Sequence, residues 1–473
     1  MTTDYESKRW LALALLCVTQ FMVILDASIV NVALPTIGTA LDFSQDNLSW
    51  VVNAYVLTFG GFLLLGGRLA DLLGRRRVFM AGLILFALAS LAGGLAQNDI
   101  QLVIARAVQG LGAAIVSPAA LSIIMVTFKE GAERNKALGA WGAVAGSGGA
   151  VGVLLGGVLT DGLGWEWVFW VNVPIGLITA YMAPRLIAES RSEADGRSFD
   201  IPGAVTVTAG LSLLVYAIVN AEQAGWGSTE TIVLMAIAIV LIGAFVLIEQ
   251  RARMPLVPFR IFRVPTLTGA NAVGLLIGAA LFSMFFFASL YMQQVLGYSA
   301  IKTGFSYVPL SVGIIVAAAV SSQVATKIGF KPVLITGLAL IGIGLLWWSR
   351  VSPDGSYVAD ILGPSLLAAV GLGLAFVTIT IAAVAGVADD DSGLASGLIN
   401  TSQQIGGALG LAILATIANS VSDSVADPVA LTDGFRAAFL AGAGFAFLGL
   451  IVALVLIKTS DSKAMVDREI PVV

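Results

Sequence analysis

Long apolar stretches, separated by short polar or charged connections, follow one another along almost the whole chain. A helix of about 20 apolar residues crosses the ~30 Å hydrocarbon core of a bilayer. Fourteen stretches are long enough, and we number them spans 1 to 14: 10–33, 48–67, 78–97, 101–126, 136–160, 166–187, 201–220, 230–248, 267–295, 304–325, 331–349, 358–385, 394–418 and 434–457. The pattern predicts an all-α integral membrane protein with 14 transmembrane helices. Because this number is even, both ends of the chain are expected on the same side.

The composition agrees with this prediction. Of the 473 residues, 58% are hydrophobic and 11% are charged, whereas soluble domains carry about 25% charged residues. The sequence has no histidine and one cysteine, Cys17, which excludes an internal disulfide and a metal site built on histidine or several cysteines. We expect no metal and no cofactor. Proton transfer near neutral pH would have to use a carboxylate in an unusual environment.

Charged residues between the spans give the predicted orientation. With the N-terminus in the cytoplasm, all 25 lysines and arginines lie on the cytoplasmic side except Lys302, Arg350 and Arg436 outside and Arg106 within the membrane. Positive residues favour the cytoplasmic side. The first apolar run contains Asp26 and is too long for a signal-peptide core. We therefore predict a multi-pass protein of the cytoplasmic (inner) membrane with both termini inside.

Two charged stretches divide the chain. Glu189–Asp200 and Glu249–Arg263 bracket spans 7 and 8, which have no ionisable residue in their interiors. This spacing predicts three parts: 1–187, an N-terminal six-helix bundle; 188–266, cytoplasmic linkers with two extra transmembrane helices; and 267–473, a C-terminal six-helix bundle with a short cytoplasmic tail. Two similar bundles with a substrate site between them are common in transporters.

Two ionisable residues stand out inside the spans. Asp26 lies about sixteen residues into span 1, and Arg106 about five residues into span 4, which runs the other way. At ~1.5 Å per residue, both lie at a similar depth in the outer half of the membrane, so we expect them to pair. Ionisable groups inside a membrane are costly and usually functional.

Three interpretations of Asp26 remain open. Asp26 could exchange a proton for cargo, it could form a static ion pair that holds spans 1 and 4 together, or it could bind outer-leaflet water near Asn31. Gln109 lies one turn beyond Arg106, where it could join the polar network or link helices.

A basic segment framed by glycines follows span 2, from Gly67 to Arg77. We predict a loop there, with the two glycines Gly67 and Gly74 framing a tight helix end and Asp71 one helical turn before the arginines. A topogenic signal would explain the arginines but requires neither the acid nor the glycine spacing.

Glycines also recur in span 5, at Gly148, Gly152, Gly156 and Gly157. Small residues four apart let another helix approach closely, and packing is a more common reason for this pattern than chemistry. In span 9, aromatic, methionine and amide side chains between 284 and 294 suit a tolerant pocket for flat lipophilic molecules. For any single residue, a lipid-facing or core position is equally compatible with the pattern.

Several segments together resemble the major facilitator superfamily and, within it, the fourteen-helix drug:proton antiporter (multidrug efflux) family. Leu25-Asp26 with the stretch to Pro35 is similar to the family's helix 1 motif, Gly67–Arg77 matches the superfamily's loop motif almost completely, and Arg106 to Ala113 is similar to its helix 4 motif. Tyr291–Ser299 and Asn400–Gly407 resemble recurrent stretches of spans 9 and 13. The resemblance covers almost the whole chain.

Two departures from the family pattern occur. The antiporter motif of helix 5 usually has proline after its second glycine, whereas Gly152 is followed by Val153. The second-half copy of the loop motif, around Ser322 to Lys331, has Thr326 where an acid is expected, so we expect that half of the cytoplasmic latch to be degraded.

The resemblance implies the major facilitator fold and a proton-coupled antiporter that exports small lipophilic compounds (drugs, antibiotics, dyes) by alternating access. It implies proton and substrate coupling at Asp26 and Arg106 with Gln109 and Asn31, and a cytoplasmic gating loop in which Asp71 and Arg75 stabilise the closed state. The gating loop as a whole has five candidate members: Gly67, Asp71, Gly74, Arg75 and Arg76. The resemblance also implies a central substrate cavity, with spans 1, 2, 4 and 5 on one side and spans 9, 10, 12 and 13 on the other. The candidate cavity residues on these spans are Tyr55, Tyr291, Gln293, Gln294, Asn400 and Gln404.

The expected partners are a small lipophilic substrate, protons and the lipid bilayer, with no nucleic acid, and the protein is expected to be a monomer. An importer or a lipid or metabolite transporter on the same fold remains open, because Val153 replaces the usual proline. A membrane enzyme or a receptor is poorly supported, because the sequence shows neither a nucleophile or metal cluster nor a stretch long enough for a soluble signalling domain.

Overall fold

The computed structural model of the protein describes residues 8–43, 48, 50–128, 132–191, 200–252, 255–387, 392–422 and 427–469. Within these ranges the chain is helical almost throughout. The α-helices are α1 Arg9–Ala40, α2 Trp50–Leu73, α3 Arg75–Gly94, α4 Asp99–Thr127, α5 Ala132–Gly162, α6 Trp167–Trp170, α7 Asn172–Leu186, α8 Ile201–Ala224, α9 Thr229–Arg251, α10 Pro265–Leu290, α11 Ala300–Ser306, α12 Val308–Ile328, α13 Phe330–Trp348, α14 Gly363–Val384, α15 Ser392–Val421, α16 Pro428–Leu456 and α17 Thr459–Glu469.

Every predicted span falls on this helical framework. Eleven helical segments in the described ranges are long and apolar enough to cross a membrane. The other three predicted spans lie on α2, α5 and α8, helices of 24, 31 and 24 residues in which the described apolar stretch is shorter. Two spans contain more than one α-helix: α6 and α7 together form span 6, and α11 and α12 form span 10.

The helix that carries Arg106 has a well-defined start. The Asn98 side chain accepts a hydrogen bond from the Gln101 N–H, and Asp99 occupies the first turn of α4. An asparagine cap and an acid in the first turn both stabilise a helix N-terminus. We call the end of the bundle where α1 begins the N-terminal face and the other end the opposite face. Because α4 starts at the opposite face, its first two turns carry Arg106 to the level of Asp26.

The buried apolar side chains form two large clusters and a smaller one among the described residues. The first cluster comes mainly from α1 to α7 and the second mainly from α10 to α16. The third contains residues of α8, α9 and the segment that follows them. The first two clusters interlock, because Val32 and Val153 belong to the second and Ala408 to the first. The predicted division of the chain into three parts at residues 187 and 266 therefore stays a prediction. Helix α8, in the middle part, packs against α9, α2 and α15.

The structure corrects the prediction of a loop between Gly67 and Arg77. Helix α2 continues through Gly67 to Leu73, and α3 begins at Arg75, so Gly74 alone separates the two helices. Gly74 has φ 108°, a conformation that only glycine adopts at low cost. Gly67 does not end a helix. A Cβ at Gly67 would lie 3.4 Å from Pro118 Cβ of α4, which is an ordinary van der Waals contact, so the packing of α2 against α4 does not require a glycine there.

Candidate functional site: a buried carboxylate cluster

Asp26 of α1 is fully buried and is surrounded by hydrogen-bond donors. Arg106 Nη1 donates to its Oδ2 at 2.7 Å. Gln109 Nε2 and Asn172 Nδ2 donate to its Oδ1 at 2.7 and 2.8 Å. Three donors on two oxygens suit a carboxylate, which is an acceptor only. The structure therefore brings together Asp26, Arg106 and Gln109 as predicted, and it adds Asn172 of α7.

Arg106 is 1% exposed, and two of its three guanidinium nitrogens donate hydrogen bonds. Its Nε donates to the Val51 carbonyl at 2.8 Å, and its Nη1 also donates to Gln109 Oε1 at 2.7 Å. The guanidinium lies 4.2 Å from the centre of the Tyr55 ring, within the distance of a cation–π interaction. The planar guanidinium thus joins α4 to α1 and α2 at one level.

Gln109 and Ser90 extend the network to α3. Gln109 Nε2 donates to Ser90 Oγ at 2.6 Å as well as to Asp26. Ser90 is fully buried. We call the six residues of this network the Asp26 cluster: Asp26, Tyr55, Ser90, Arg106, Gln109 and Asn172. The cluster ties five helices together, which are α1, α2, α3, α4 and α7.

Asn31 lies on the same helix as Asp26 but is not hydrogen-bonded to this cluster. Its side-chain Oδ1 is buried and has no hydrogen-bond partner. The grouping of Asn31 with Asp26 was a prediction from sequence proximity, and the structure separates the two side chains in their hydrogen bonding. Its functional role stays a prediction.

Asn172 and Ser90 were missed by the sequence analysis. Neutral polar residues cost little inside helices of a membrane protein because they hydrogen-bond across to neighbouring helices, so they do not stand out as charges do. A signal was available in span 6, where Asn172 stands between Val171 and Val173 in an otherwise apolar stretch. Ser90, in a span with several small residues, offered none.

The glycines of α5 bring that helix onto the part of α1 that carries Asp26. A Cβ at Gly152 would lie 2.8 Å from the Leu25 carbonyl oxygen, and a Cβ at Gly156 would lie 2.6 Å from the Ile29 carbonyl oxygen. Gly148 makes a similar approach to the Ile24 side chain, and Gly157 is buried. Close packing of α5 on both sides of Asp26 means that a shift of α5 is transmitted to the cluster.

Gly156→Ala is expected to lower the melting temperature of the purified protein, because its methyl group would press on the α1 backbone. Overpacking of this kind costs about 1–3 kcal/mol. Gly162→Ala, in the same helix, is the matched control, since nothing lies within 4 Å of the position of its Cβ. Gly156 lies inside α5 and Gly162 at its last residue, so Gly156→Ala gains at least as much helix propensity as the control, and a lower melting temperature for Gly156→Ala reports the clash. Equal melting temperatures would show that α5 and α1 separate easily here.

The predicted gating segment is anchored to the end of α7. The Arg75 N–H donates to the Ser190 carbonyl at 3.0 Å. The Arg76 N–H donates to Glu189 Oε1 at 3.1 Å, and Arg76 Nη1 donates to the Ile187 carbonyl at 3.0 Å. Glu189 was not predicted as a partner. The Asp71 side chain lies outside the described residues, so its part in gating stays a prediction.

The second half of the chain repeats this arrangement. Gly329, with φ 86°, is the single residue between α12 and α13. The Lys331 N–H donates to Ser462 Oγ at 3.0 Å, and Lys331 Nζ donates to the Ile457 carbonyl at 2.6 Å. Lys331 thus makes contacts equivalent to those of Arg76 in the first half, although Thr326 stands where an acid is expected. The hydroxyl of Ser462, from α17, takes the place of the Glu189 carboxylate.

The six candidate cavity residues differ in their burial and in their hydrogen-bond partners. Tyr55 is fully buried in the Asp26 cluster, and its hydroxyl donates to the Val23 carbonyl at 3.2 Å. The Tyr291 hydroxyl donates to the Ser352 carbonyl at 2.6 Å, in the second apolar cluster. Gln293 is half-buried, Gln294 is exposed, and Asn400 and Gln404 of α15 are half-buried. Their role in binding cargo stays a prediction.

Helices α5 and α11 meet at the opposite face. The Ile301 N–H donates to Asp161 Oδ2 at 3.0 Å. A Cβ at Gly304 would lie 3.0 Å from the Leu154 backbone. Since α5 belongs to the first half of the chain and α11 to the second, this contact joins the two halves at the opposite face.

Known proteins resemble the chain over nearly its full length. The family model described as Major Facilitator Superfamily matches residues 16–411. The chain belongs to the Major Facilitator Superfamily. It is a multi-pass membrane transporter of that superfamily, and the resemblance to the superfamily drawn from the motif segments is confirmed.

Relatives within the superfamily are named for antibiotic export or resistance. The cephamycin export protein CmcT of Amycolatopsis lactamdurans is 41% identical over 458 residues, covering 96% of this chain and 92% of the relative. The puromycin resistance protein pur8 of Streptomyces alboniger is 36% identical, covering 97% and 93%. The tetracenomycin C resistance and export protein of Streptomyces glaucescens is 34% identical, covering 87% and 76%.

A solved structure of the superfamily shares the fold. The human organic anion transporter MFSD10 (TETRAN) superposes with a TM-score of 0.65 at 15% identity, covering 95% of this chain and 99% of that one. At this identity the likeness supports the major facilitator fold and carries nothing about substrate.

Proposed function

We propose that this protein is a proton-coupled antiporter that exports small lipophilic compounds, antibiotics among them, across the cytoplasmic membrane by alternating access. The N-terminal face would lie in the cytoplasm. The observation that carries the proposal is the fully buried Asp26–Arg106 pair, 2.7 Å apart, inside a membrane transporter. The names of the relatives support the cargo class and the direction.

Asp26 is the proposed proton carrier. The chain has no histidine, so a carboxylate must take this role. Two acids are buried among the described residues, Asp26 and Glu249. Glu249 lies near the end of α9 and accepts hydrogen bonds from the Leu256 and Val257 backbone, which accounts for its burial. Asp26 lies deep within α1 and is paired with the buried cation Arg106.

The proposed cycle couples cargo to the state of this pair. With the N-terminal face open, ionised Asp26 lets cargo enter from the cytoplasm or the inner leaflet. The contact between α5 and α11 then opens at the opposite face and cargo leaves. A proton taken up by Asp26 from outside favours the return. One pH unit supplies about 1.4 kcal/mol per proton and 100 mV about 2.3 kcal/mol per charge, which together sustain about hundredfold export or more.

The test is transport in proteoliposomes under an imposed pH gradient. Vesicles with an acidic interior would hold protein whose N-terminal face points outward, and the probes would be puromycin and a fluorescent lipophilic cation. We expect uptake into these vesicles that an uncoupler abolishes and that protein-free vesicles do not show. Absence of gradient-dependent movement of either probe would refute proton-coupled export, and movement with the proton rather than against it would identify an importer.

A further inference from the structure

Asn172 differs from the other members of the Asp26 cluster because half of its amide has no partner. The side chain is fully buried. Its Nδ2 donates to Asp26 Oδ1 at 2.8 Å, while its own Oδ1 is buried without a hydrogen-bond partner. Buried polar atoms are nearly always paired, and one that is not requires an explanation.

The other polar groups around Asp26 are already committed. Gln109 uses its Oε1 to accept from Arg106 and its Nε2 to donate to Asp26 and Ser90. Arg106 has donors only. Asn172 Oδ1, in contrast, accepts no hydrogen bond, so it can receive a new one without breaking an old one.

A proton on Asp26 creates the need for such an acceptor. The ionised carboxylate accepts a hydrogen bond from the Asn172 N–H at Asp26 Oδ1. If the proton binds at Asp26 Oδ1, the new O–H points at that N–H, and two donors then face each other without an acceptor. Rotation of the amide by about 180° about its terminal torsion, which is broad and roughly two-fold, replaces the N–H by the free Oδ1. The O–H of protonated Asp26 then donates to Asn172 Oδ1. The O–H bond of Asp26 is the only covalent bond that forms in this step.

We propose that Asn172 is a positioning residue that stabilises both protonation states of Asp26 by turning its amide over. The inference rests on the proposed proton coupling at Asp26 and names the residue that lets it proceed inside a buried cluster. Asn172 donates to the ionised acid and accepts from the protonated one.

The rest of the cluster can stay in place during this change. The charged or titratable groups facing Asp26 are Arg106 from α4 and Tyr55 from α2, and the groups from α3 and α7 are neutral Ser90 and Asn172. Once Asp26 is protonated, Arg106 still has the Val51 carbonyl, Gln109 Oε1 and the Tyr55 ring as partners. The amide of Asn172 is thus the part that moves.

The test is infrared difference spectroscopy of the purified protein in lipid as the pH is changed, with the protein labelled with ¹³C at asparagine side-chain carbonyls. The carbonyl band of protonated Asp26 is assigned as the band that appears in the unsubstituted protein and is absent from the Asp26→Asn variant. In the unsubstituted protein, an asparagine amide band should shift to lower frequency as that band appears, because its carbonyl gains a hydrogen bond. In Asn172→Leu, which has the same shape and no polar atom, the Asp26 band should move to higher frequency.

Transport provides the second readout. Gradient-driven export by Asn172→Leu should fall about tenfold or more, as expected for loss of a hydrogen bond to a charged group. Thr179→Val is the control: Thr179 is also a buried polar residue of α7, but it bonds only to the Ile175 carbonyl of its own helix. It should leave the Asp26 band and the transport rate unchanged.

The outcomes separate this inference from the proposed function. An Asp26 band at the same frequency in Asn172→Leu, with no asparagine band in the difference spectrum, would overturn the role of Asn172 while leaving proton coupling intact. If Asn172→Leu does not fold, the asparagine band of the unsubstituted protein decides alone. Absence of any Asp26-dependent band, together with gradient-independent transport, would refute the proposed function and this inference with it.

Discussion

Asp26→Asn is expected to abolish export driven by a pH gradient. Asparagine has the shape of aspartate and can still accept the hydrogen bond from Arg106, but it cannot bind and release a proton. Gradient-driven uptake into proteoliposomes should therefore fall to the level of protein-free vesicles. Exchange of labelled for unlabelled cargo without a gradient should weaken as well, because neutral asparagine resembles the protonated acid and not the ionised acid that admits cargo in the proposed cycle.

The charge left on Arg106 complicates this variant. Arg106 is 1% exposed, and removal of one partner from a buried ion pair typically costs about 3–5 kcal/mol. The double variant Asp26→Asn/Arg106→Gln removes both charges and keeps hydrogen-bonding groups at both positions. It should fold at least as well as Asp26→Asn and be equally uncoupled.

Glu230→Gln is the matched control for Asp26→Asn, because it neutralises an exposed acid in the first turn of α9. It should retain gradient-driven export. Retained gradient-driven export in Asp26→Asn itself would refute Asp26 as the proton carrier, and the buried pair would then be the static ion pair that holds α1 and α4 together.

Arg106→Lys is expected to reduce the transport rate by about 10- to 100-fold even though it keeps the charge. The guanidinium reaches the Val51 carbonyl, Asp26 and Gln109 at once, through two nitrogen atoms. A lysine ammonium is a single point that cannot span these positions. Each hydrogen bond that involves a charged group is worth about 1.5–3 kcal/mol, so the loss of one accounts for the predicted range.

Initial transport rate and melting temperature together measure this effect. Arg106→Ala should be worse than Arg106→Lys, because it leaves the Asp26 carboxylate buried without a cation. Arg185→Lys, at an exposed arginine of α7 that stacks on Tyr181, is the control and should be nearly neutral. A transport rate of Arg106→Lys equal to that of the unsubstituted protein would mean that charge alone is needed, and the shape of the guanidinium would have no role.

The sequence predicted the pairing of Asp26 with Arg106 because charge inside a membrane is rare and helix rise is constant. Two residue numbers and two helix directions were enough to place both groups at one depth. The neutral partners of the pair were not predictable in this way. Asn172 and Ser90 depend on how α7 and α3 are rotated about their own axes, and rotation is set by packing.

The loop prediction failed for a different reason. The change from apolar to charged residues at Gly67–Arg77 marks where a helix leaves the hydrocarbon, but backbone hydrogen bonds within a helix do not depend on that boundary. Helix α2 therefore continues to Leu73. Local geometry could not be predicted in span 9 either. Residues 291–295 form a π-helix, so a 3.6-residue repeat does not give the directions of the side chains there.

Helix α17, which follows the last predicted span, holds the glycine turn between α12 and α13 in place. In the first half the glycine turn is held by a carboxylate in a short linker, and in the second half by Ser462, with Asp461 beside it on the Thr266 hydroxyl. The turn and its cation are common to both halves, whereas the anchors differ. A late stop codon that spares all fourteen membrane helices would therefore still release one of the two anchors, and an affinity tag for purification belongs after the tail, not in place of it.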